Sequence, residues 1–510
     1  MTEMVNGSKV IIIGIDGLDA GLLRRFQDSL PNFSKLMKRS SISQMTSVFP
    51  PDSPTAWASI FTGLNPAKHG IISFKDPRSR AKIGAYLDNV QNIRERTFWD
   101  VAGKHGKKCC VIFPHMAFPP WPVNGVMVSR TTEVDIKTFD LKTYPSDFPL
   151  NCDPADLKPI TSFPTNIGNV IQPTRRLIVN EAQFGKRLFE KMDWDVFFIY
   201  FSSIDNIQHI FWMAFDESHP AYPELSQYRK VIPDFYKFYD EHVIGEFLRS
   251  APSDAAFVVL SDHGHGLRPF NLVNVNAVLA KHGYLKTHIK SASQLNASNL
   301  QDLAKKKVTN LINEKRIVAK FVSRFLSMFP RSLELYTGAS PIDWSQTDAY
   351  LSDSSAGLKA YSYAGIRIRK DFEPEKYDSL CQSVIGLLLD IRDPSSKKIV
   401  EWAIKRNELY QGPFLSKYPD ILFKLEDNWG VGWDTSGQAY STSKSFKLFS
   451  GSHKQSTAVF LLDHPRGRNA NVRGMGLMDI APTVLDLLGV PKTDISGCFD
   501  GKSILKDEPS

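Results

Sequence analysis

The chain has 510 residues, 42% hydrophobic and 23% charged, an ordinary globular balance with room for two or three domains or one large core with insertions. Its five cysteines (Cys109, Cys110, Cys152, Cys381, Cys498) are odd in number, include an adjacent pair and form no Cys-x-x-Cys spacing. That argues against a disulfide framework or thiolate metal site and for a reducing compartment. The net charge of +8 serves solubility or draws an anionic substrate, and without a zinc-finger, RNP or arginine-rich signature no specific nucleic-acid binding is expected.

In chain order, the first element is KVIIIGID (9–16). The run is too short for a signal sequence and meets Asp16, so it reads as a strand, and a cytoplasmic location is expected. An amphipathic stretch at 19–38 follows, then the hydroxyl-rich FPPDSPTAWASIFTG (49–63) with Ser53, Thr55, Ser59 and Thr62. Strand patterns recur at 109–113, 195–201, 256–262, 420–425 and 457–462, with amphipathic segments at 178–192 and 231–249. None of the apolar runs approaches the length of a membrane span. Continuous apolar strands alternating with helices predict an α/β fold, a largely parallel central sheet covered on both faces, with ligands gathered at the carboxyl ends of the strands. The segment 286–340 is basic, helical in pattern and strand-free. It reads as an inserted helical cap between two parts of an α/β core, 8–285 and 341–507, its charges marking a solvated face ahead of a membrane or partner face.

The strand ends carry the chemistry. Asp16 closes the first strand, and Asp262 and His263 close the 256–262 strand. After the 195–201 strand, Ser202 or Ser203 is a plausible helix N-cap, and Asp205 and His209 then fall four apart on one helical face. His453 stands just before the last strand. Each has a bland alternative: a turn aspartate, a surface ion pair, an ordinary Asp-His-Gly turn. Their conjunction at strand ends favours the sharper one. Three Asp and three His match the ligand count of two divalent cations with one position left for a hydroxyl, and mixed N/O donors suit Zn²⁺, or Mn²⁺ or Fe²⁺, ahead of Ca²⁺ or Mg²⁺.

The order of FPPDSPTAWASIFTGLNPAKHGI, DNIQH, SDHG and GSH, with the closing MDIAPTVLDLLGV, resembles the alkaline phosphatase superfamily, and within it the type I phosphodiesterase/nucleotide pyrophosphatase family. The resemblance spans nearly the whole chain, weakens at 286–340, and implies an alkaline-phosphatase-like three-layer α/β sandwich. It implies two cation sites, one held by Asp16, Asp262 and His263 with the nucleophile, the other by Asp205, His209 and His453. It implies hydrolysis of a small anionic phosphodiester or pyrophosphate through a covalent phospho-serine. Register against Thr62-Gly63 places the nucleophile at Ser53, with Thr55 the fallback. Ser53 as helix cap and Pro54 as first helical residue would set that hydroxyl beside unpaired backbone N–H groups. Sulfatases share this fold, but their motif needs Pro and Arg where Thr55 and Trp57 stand.

Other expectations are weaker. Lys454, Arg268 and Arg130 are candidate contacts for a substrate anion, and His265 is either a group behind the ligands or a solvated loop residue. His69 stabilises a turn. Trp57, Phe113 and Trp212 either wall a leaving-group pocket or pack in the core. A phosphomonoesterase or phosphotransferase on the same metals, and a non-catalytic binding relative, are the alternative functions. The substrate, the metal in the cell and the oligomeric state are not legible.

Overall fold

The computed structural model describes residues 7–74, 76–78, 90–131, 139–160, 166–287, 342–353, 359–435, 437–443, 450–467, 470, 472–495 and 497–506. In chain order the strands begin with β1 (Val10–Ile15), β2 (Ser41–Met45), β3 (Cys109–Ile112), β4 (Gly125–Arg130), β5 (Leu141–Tyr144), β6 (Val196–Phe201) and β7 (Ala256–Leu260). They continue with β8 (Gly264–Leu267), β9 (Asn271–Asn274), β10 (Ala349–Ser352), β11 (Tyr363–Ile368), β12 (Val400–Lys405) and β13 (Ile421–Leu425). The last four are β14 (Trp429–Gly432), β15 (Tyr440–Thr442), β16 (Gly451–Lys454) and β17 (Ala458–Asp463).

The main sheet has eight strands in the order β2-β17-β7-β1-β6-β3-β4-β5. From β7 to β4 all neighbours run parallel, whereas β5, β17 and β2 join antiparallel. Every residue of β1, β6 and β7 is buried, as their unbroken Val/Ile/Phe runs require when both faces are covered. Each such side chain contributes roughly 1.5–3 kcal/mol by leaving water. The Ile171–Lys191 helix packs on β6 and β3, and the Phe98–Lys104 helix packs on β3 behind a Thr97/Asp100 capping box.

Two expected strands differ from the parallel reading. The 457–462 run joins the main sheet antiparallel, as β17. The 420–425 run becomes β13 of a separate antiparallel sheet, β10-β11-β13-β12, with its own apolar cluster around Ile366, Ile421 and Phe423. An apolar run dictates burial but not which sheet buries it, so its partner strands decided the matter. The expected cap at 286–340 lies outside the described residues except for Lys286 and Thr287, and Thr287 bridges antiparallel to Ile342 where the described chain resumes.

Register sets the site. Gly14 lies level with Tyr200 on one side and Leu260 on the other, so β1, β6 and β7 end together. The residues just beyond, 16, 202–205 and 261–263, therefore share one edge. The two-stranded sheet β16-β8 crosses that edge and pairs His453 with His265.

Candidate active site at the carboxyl edge of the main sheet

The loop entering the nucleophile region is pinned at Phe49, whose N–H accepts no freedom: the Tyr410 hydroxyl receives it at 2.8 Å, while the Tyr418 hydroxyl donates to its carbonyl at 2.6 Å. A ten-residue helix, Ser53–Thr62, then begins. Asp52, not Ser53, occupies the N-cap, with extended backbone (φ −94°, ψ 135°), so Ser53 is the first helical residue. The hydroxyl of an N1 residue still lies at the helix mouth, where backbone N–H groups lack intrahelical acceptors. Gly63 ends the helix at φ +62°, where a side chain would be strained.

The four hydroxyls of this helix separate by partner. Ser53 Oγ lies 3.2 Å from Asp16 Oδ1 and 3.2 Å from His263 Nε2. Thr55 Oγ1 is fully buried and pairs with Ser73 Oγ at 3.2 Å. Ser59 pairs with His69 Nε2 at 2.9 Å, and Thr62 donates to the Ala58 carbonyl at 2.7 Å. His69 Nδ1 accepts from the Ile71 N–H, so it holds a turn.

Asp16 is fixed from behind. Its Oδ2 accepts from the Tyr200 hydroxyl at 2.6 Å and from Trp57 Nε1 at 3.1 Å, which leaves Oδ1 facing Ser53. Trp57 can lie there because Gly14 has no side chain: a Cβ would come within 2.8 Å of the indole. Gly17, at φ +66°, passes so close to Asp205 that a Cβ would meet Oδ1 at 2.8 Å, and its N–H donates to Asp262 Oδ1 at 3.1 Å. Asp205 and His209 rise from the Ser203–Phe215 helix, whose N-cap Ser202 makes no capping bond through its side chain.

Asp205, His209 and His453 bring ligand atoms within 4.8 Å of one another, and so do Asp16, Asp205 and His263. Asp205 therefore stands between two groups, and Asp262 Oδ2 lies 3.3 Å from His263 Nε2. The imidazoles are oriented by what touches Nδ1. His209 Nδ1 lies 2.9 Å from the Gly451 carbonyl and His263 Nδ1 lies 2.9 Å from the Gly264 carbonyl. Carbonyls only accept, so Nδ1 carries a proton in both rings and Nε2 is the nitrogen that offers a lone pair to the cleft when it is unprotonated. His209 Nε2 and His453 Nε2 face each other at 3.0 Å. Among the described residues Asp205 Oδ1 and Asp262 Oδ2 are buried and make no hydrogen bond, with the Nε2 atoms of His265 and His263 at 3.4 and 3.3 Å. Convergent lone pairs and orphaned carboxylate oxygens are costly in a buried place unless a cation joins them. The donor set fits divalent metal ions.

The electrostatics agree. Burial, reinforced by Asp262 and Asp205, pushes Asp16 up to about 7, and burial pushes Asp262 up to about 6. Burial opposes charge on His263, but Asp262, Asp16 and Asp205 outweigh it and raise it to about 9. Asp205, though buried, is held well below the carboxylate range by His209 and His265. Burial drives His453 down to about 3.

The remaining candidates fall behind or away from this cluster. His265 Nε2 lies 3.4 Å from Asp205 Oδ1, and its ring stacks on Trp212 at 5.2 Å. Arg268 donates to the Gly451 carbonyl at 2.6 Å, the same oxygen that orients His209; it is buried and supports the site through the backbone. Arg130 is corrected to a frame residue: its guanidinium is enclosed, bonded to Glu181 at 2.5 Å and the Leu157 carbonyl at 2.6 Å, and lies over Phe113. Lys454 is half-buried, its stem against Gly266. Phe113, Trp57 and Trp212 are core residues, although Trp57 also donates to Asp16.

Sequence reasoning missed Tyr200, His115 and Asp52. Tyr200 alternates outward at the end of β6 and reaches Asp16. His115 sits 3.4 Å from the Tyr200 hydroxyl. Asp52 lies 3.5 Å from His453, and its one visible signal was its place beside Ser53.

Comparison with known proteins follows the same line. Over 95% of its length the chain superposes on phosphonoacetate hydrolase from Sinorhizobium meliloti 1021, solved in complex with phosphonoformate, with TM-score 0.56, 13% identity and 96% of that chain covered. The same enzyme in complex with phosphonoacetate gives TM-score 0.53 at the same identity and coverage. Murine ectonucleotide pyrophosphatase/phosphodiesterase 5 gives TM-score 0.47, 13% identity, and 95% coverage of both chains. At 13% identity the likeness to the two phosphonoacetate hydrolase structures is one of fold, the alkaline-phosphatase-like α/β fold. Among curated protein sequences nothing matches the chain. The family model for type I phosphodiesterase / nucleotide pyrophosphatase matches residues 10–337, a span that holds Asp16, Ser53, Asp205, His209, Asp262 and His263. The chain belongs to that family of phosphoester hydrolases.

Proposed function

We propose that the protein hydrolyses small anionic phosphodiesters or pyrophosphates with Ser53 as nucleophile and two divalent cations, Zn²⁺ by donor chemistry, as cofactors. Asp16, Asp262, His263 and Ser53 would hold one cation, and Asp205, His209 and His453 the other. The observation that carries this reading is Ser53 Oγ, 3.2 Å from both Asp16 and His263 at a helix mouth. When bound, the cations supply charge stabilisation for the phosphorus oxygens and acidify the nucleophilic hydroxyl.

The chain's own residues do the rest. Tyr200 and Trp57 hold Asp16 so that Oδ1 takes the hydrogen bond from Ser53, which directs the oxygen lone pair outward. Attack forms a Ser53–phosphorus bond as the ester oxygen leaves, and water then cleaves the phospho-serine to regenerate the hydroxyl. The positive end of the helix dipole at Ser53 favours the anionic group being transferred, although Pro54 itself has no N–H to offer. Burial of Thr55 against Ser73 speaks for Ser53 over Thr55 in this role. We also place 286–340 as an insertion in this core.

The test is turnover of bis-p-nitrophenyl phosphate against p-nitrophenyl phosphate by Zn²⁺-loaded protein. A ratio above one supports a diesterase. A ratio far below one would make it a monoesterase, and no turnover of either would favour a binding relative.

A further inference from the structure

The three imidazoles that aim Nε2 at the cleft are not held alike. His209 and His263 each give Nδ1 to a backbone carbonyl. His453 Nδ1 faces a carboxylate instead: Asp52 Oδ1 lies 3.5 Å away, at the outer limit of a hydrogen bond, and among the described residues no closer partner serves that nitrogen.

Asp52 is placed oddly for its position. It is the N-cap of the helix that opens with Ser53, and an aspartate there ordinarily accepts from the N–H of the second or third helical residue. Here the side chain caps nothing. It turns away from the helix, is 7% exposed, and receives the Tyr363 hydroxyl on Oδ1 at 2.9 Å. Its Oδ2 is buried and makes no hydrogen bond among the described residues. Tyr363 comes from β11 of the second sheet and stacks on Tyr361 at 4.9 Å, so the carboxylate is steered by a rigid aromatic pair. A buried carboxylate that forgoes its cap and faces a ring nitrogen is arranged for that ring.

We propose that Asp52 is a positioning residue that fixes the Nδ1–H tautomer of His453 and thereby strengthens the second cation site. This rests on the two-cation reading above. An anionic partner at Nδ1 makes Nε2 more electron-rich than a carbonyl does, and such outer partners change metal affinity about 10–100-fold. Because Asp52 is covalently next to Ser53, the same residue sets the spacing between the nucleophile and His453. It links the helix mouth at one side of the cleft to β16 at the other.

The experiment is titration of Zn²⁺ into the metal-free full-length protein against a competing chelator. Wild type should take up two equivalents. Asp52→Ala should weaken one of them about 10–100-fold and leave the other at wild-type affinity. Asp52→Asn keeps an acceptor without the charge, and should fall at the lower end of that range; it carries the test if the alanine variant does not fold. Tyr363→Phe should weaken the same equivalent less than either. Two equivalents at wild-type affinity in Asp52→Asn, or equal weakening of both, overturns the assignment. A wild-type protein that binds no Zn²⁺ overturns the two-cation reading itself, a result distinct from either.

Discussion

Two charged assemblies are buried in this fold, and they differ in balance. Arg130 and Glu181 have no side-chain exposure at all, yet one cation meets one anion at 2.5 Å and a carbonyl takes a second guanidinium N–H. The edge of the main sheet instead gathers three carboxylates, Asp16, Asp205 and Asp262, around imidazoles. Among the described residues both assemblies keep a carboxylate oxygen without a hydrogen bond (Glu181 Oε2; Asp205 Oδ1 and Asp262 Oδ2), so charge balance is what separates them. A compensated pair belongs to the frame, since breaking it strands a charge. A cluster rich in carboxylates is relieved by protons or by a cation. The difference separates residues that hold the sheet from residues proposed to hold a cation.

The largest expected effect tests the working half of this comparison. Ser53→Ala should lower turnover by several orders of magnitude, about 4–8 kcal/mol of barrier, while bound metal stays near wild type by elemental analysis. Thr55→Ala should do neither, and loss of turnover there instead would move the nucleophile. Next in size is the frame: Glu181→Ala leaves Arg130 buried and alone, so denaturant unfolding should show a loss of about 3–5 kcal/mol. Turnover per folded molecule should hold. A stable but inactive Glu181→Ala protein would erase the distinction. A smaller step follows in the cluster, where His209→Ala or His453→Ala should each lower bound metal by about one equivalent.

The smallest effect is in pH. His263 is raised from 6.5 to about 9 and Asp16 from 3.8 to about 7. A raised imidazole stabilises the metal-free fold below about 6.5 and loses that contribution as pH rises through about 9. A raised carboxyl costs stability as it ionises, a cost complete once pH passes about 7. The two windows have the same sign and follow one another, about 3.8 to 7 for the carboxyl and about 6.5 to 9 for the imidazole, so the cluster's contribution to metal-free stability should fall from about pH 3.8 to about pH 9. Zn²⁺ must displace the same protons. Calorimetry in two buffers of different ionisation heat should show more protons released on Zn²⁺ binding at pH 6.5 than at pH 8. No dependence on buffer would remove the proton-cation competition.

Much of the site was legible because its residues sit where strands end. β1, β6 and β7 are unbroken apolar runs, so the residues that follow them had to meet at one edge. Asp205 and His209 followed from helical spacing. The start of the nucleophile helix was off by one, since both Asp52 and Ser53 are good cap types and only backbone geometry tells them apart. Arg130 looked like any strand-end cation until Glu181, 51 residues on, claimed it. Tyr200 and Tyr363 were invisible because their partners, Asp16 and Asp52, lie 184 and 311 residues away. Nothing in a tyrosine's neighbours in sequence says whether its hydroxyl caps a site or a core.

The acidic-imidazole cluster is proposed to hold cations, and the Arg130–Glu181 pair is not. Anomalous scattering at the zinc edge from crystals grown with Zn²⁺ tests this proposal most directly. The account expects two peaks, one among Asp16, Ser53, Asp262 and His263 and one among Asp205, His209 and His453. A map with no peak at that edge of the sheet would contradict it.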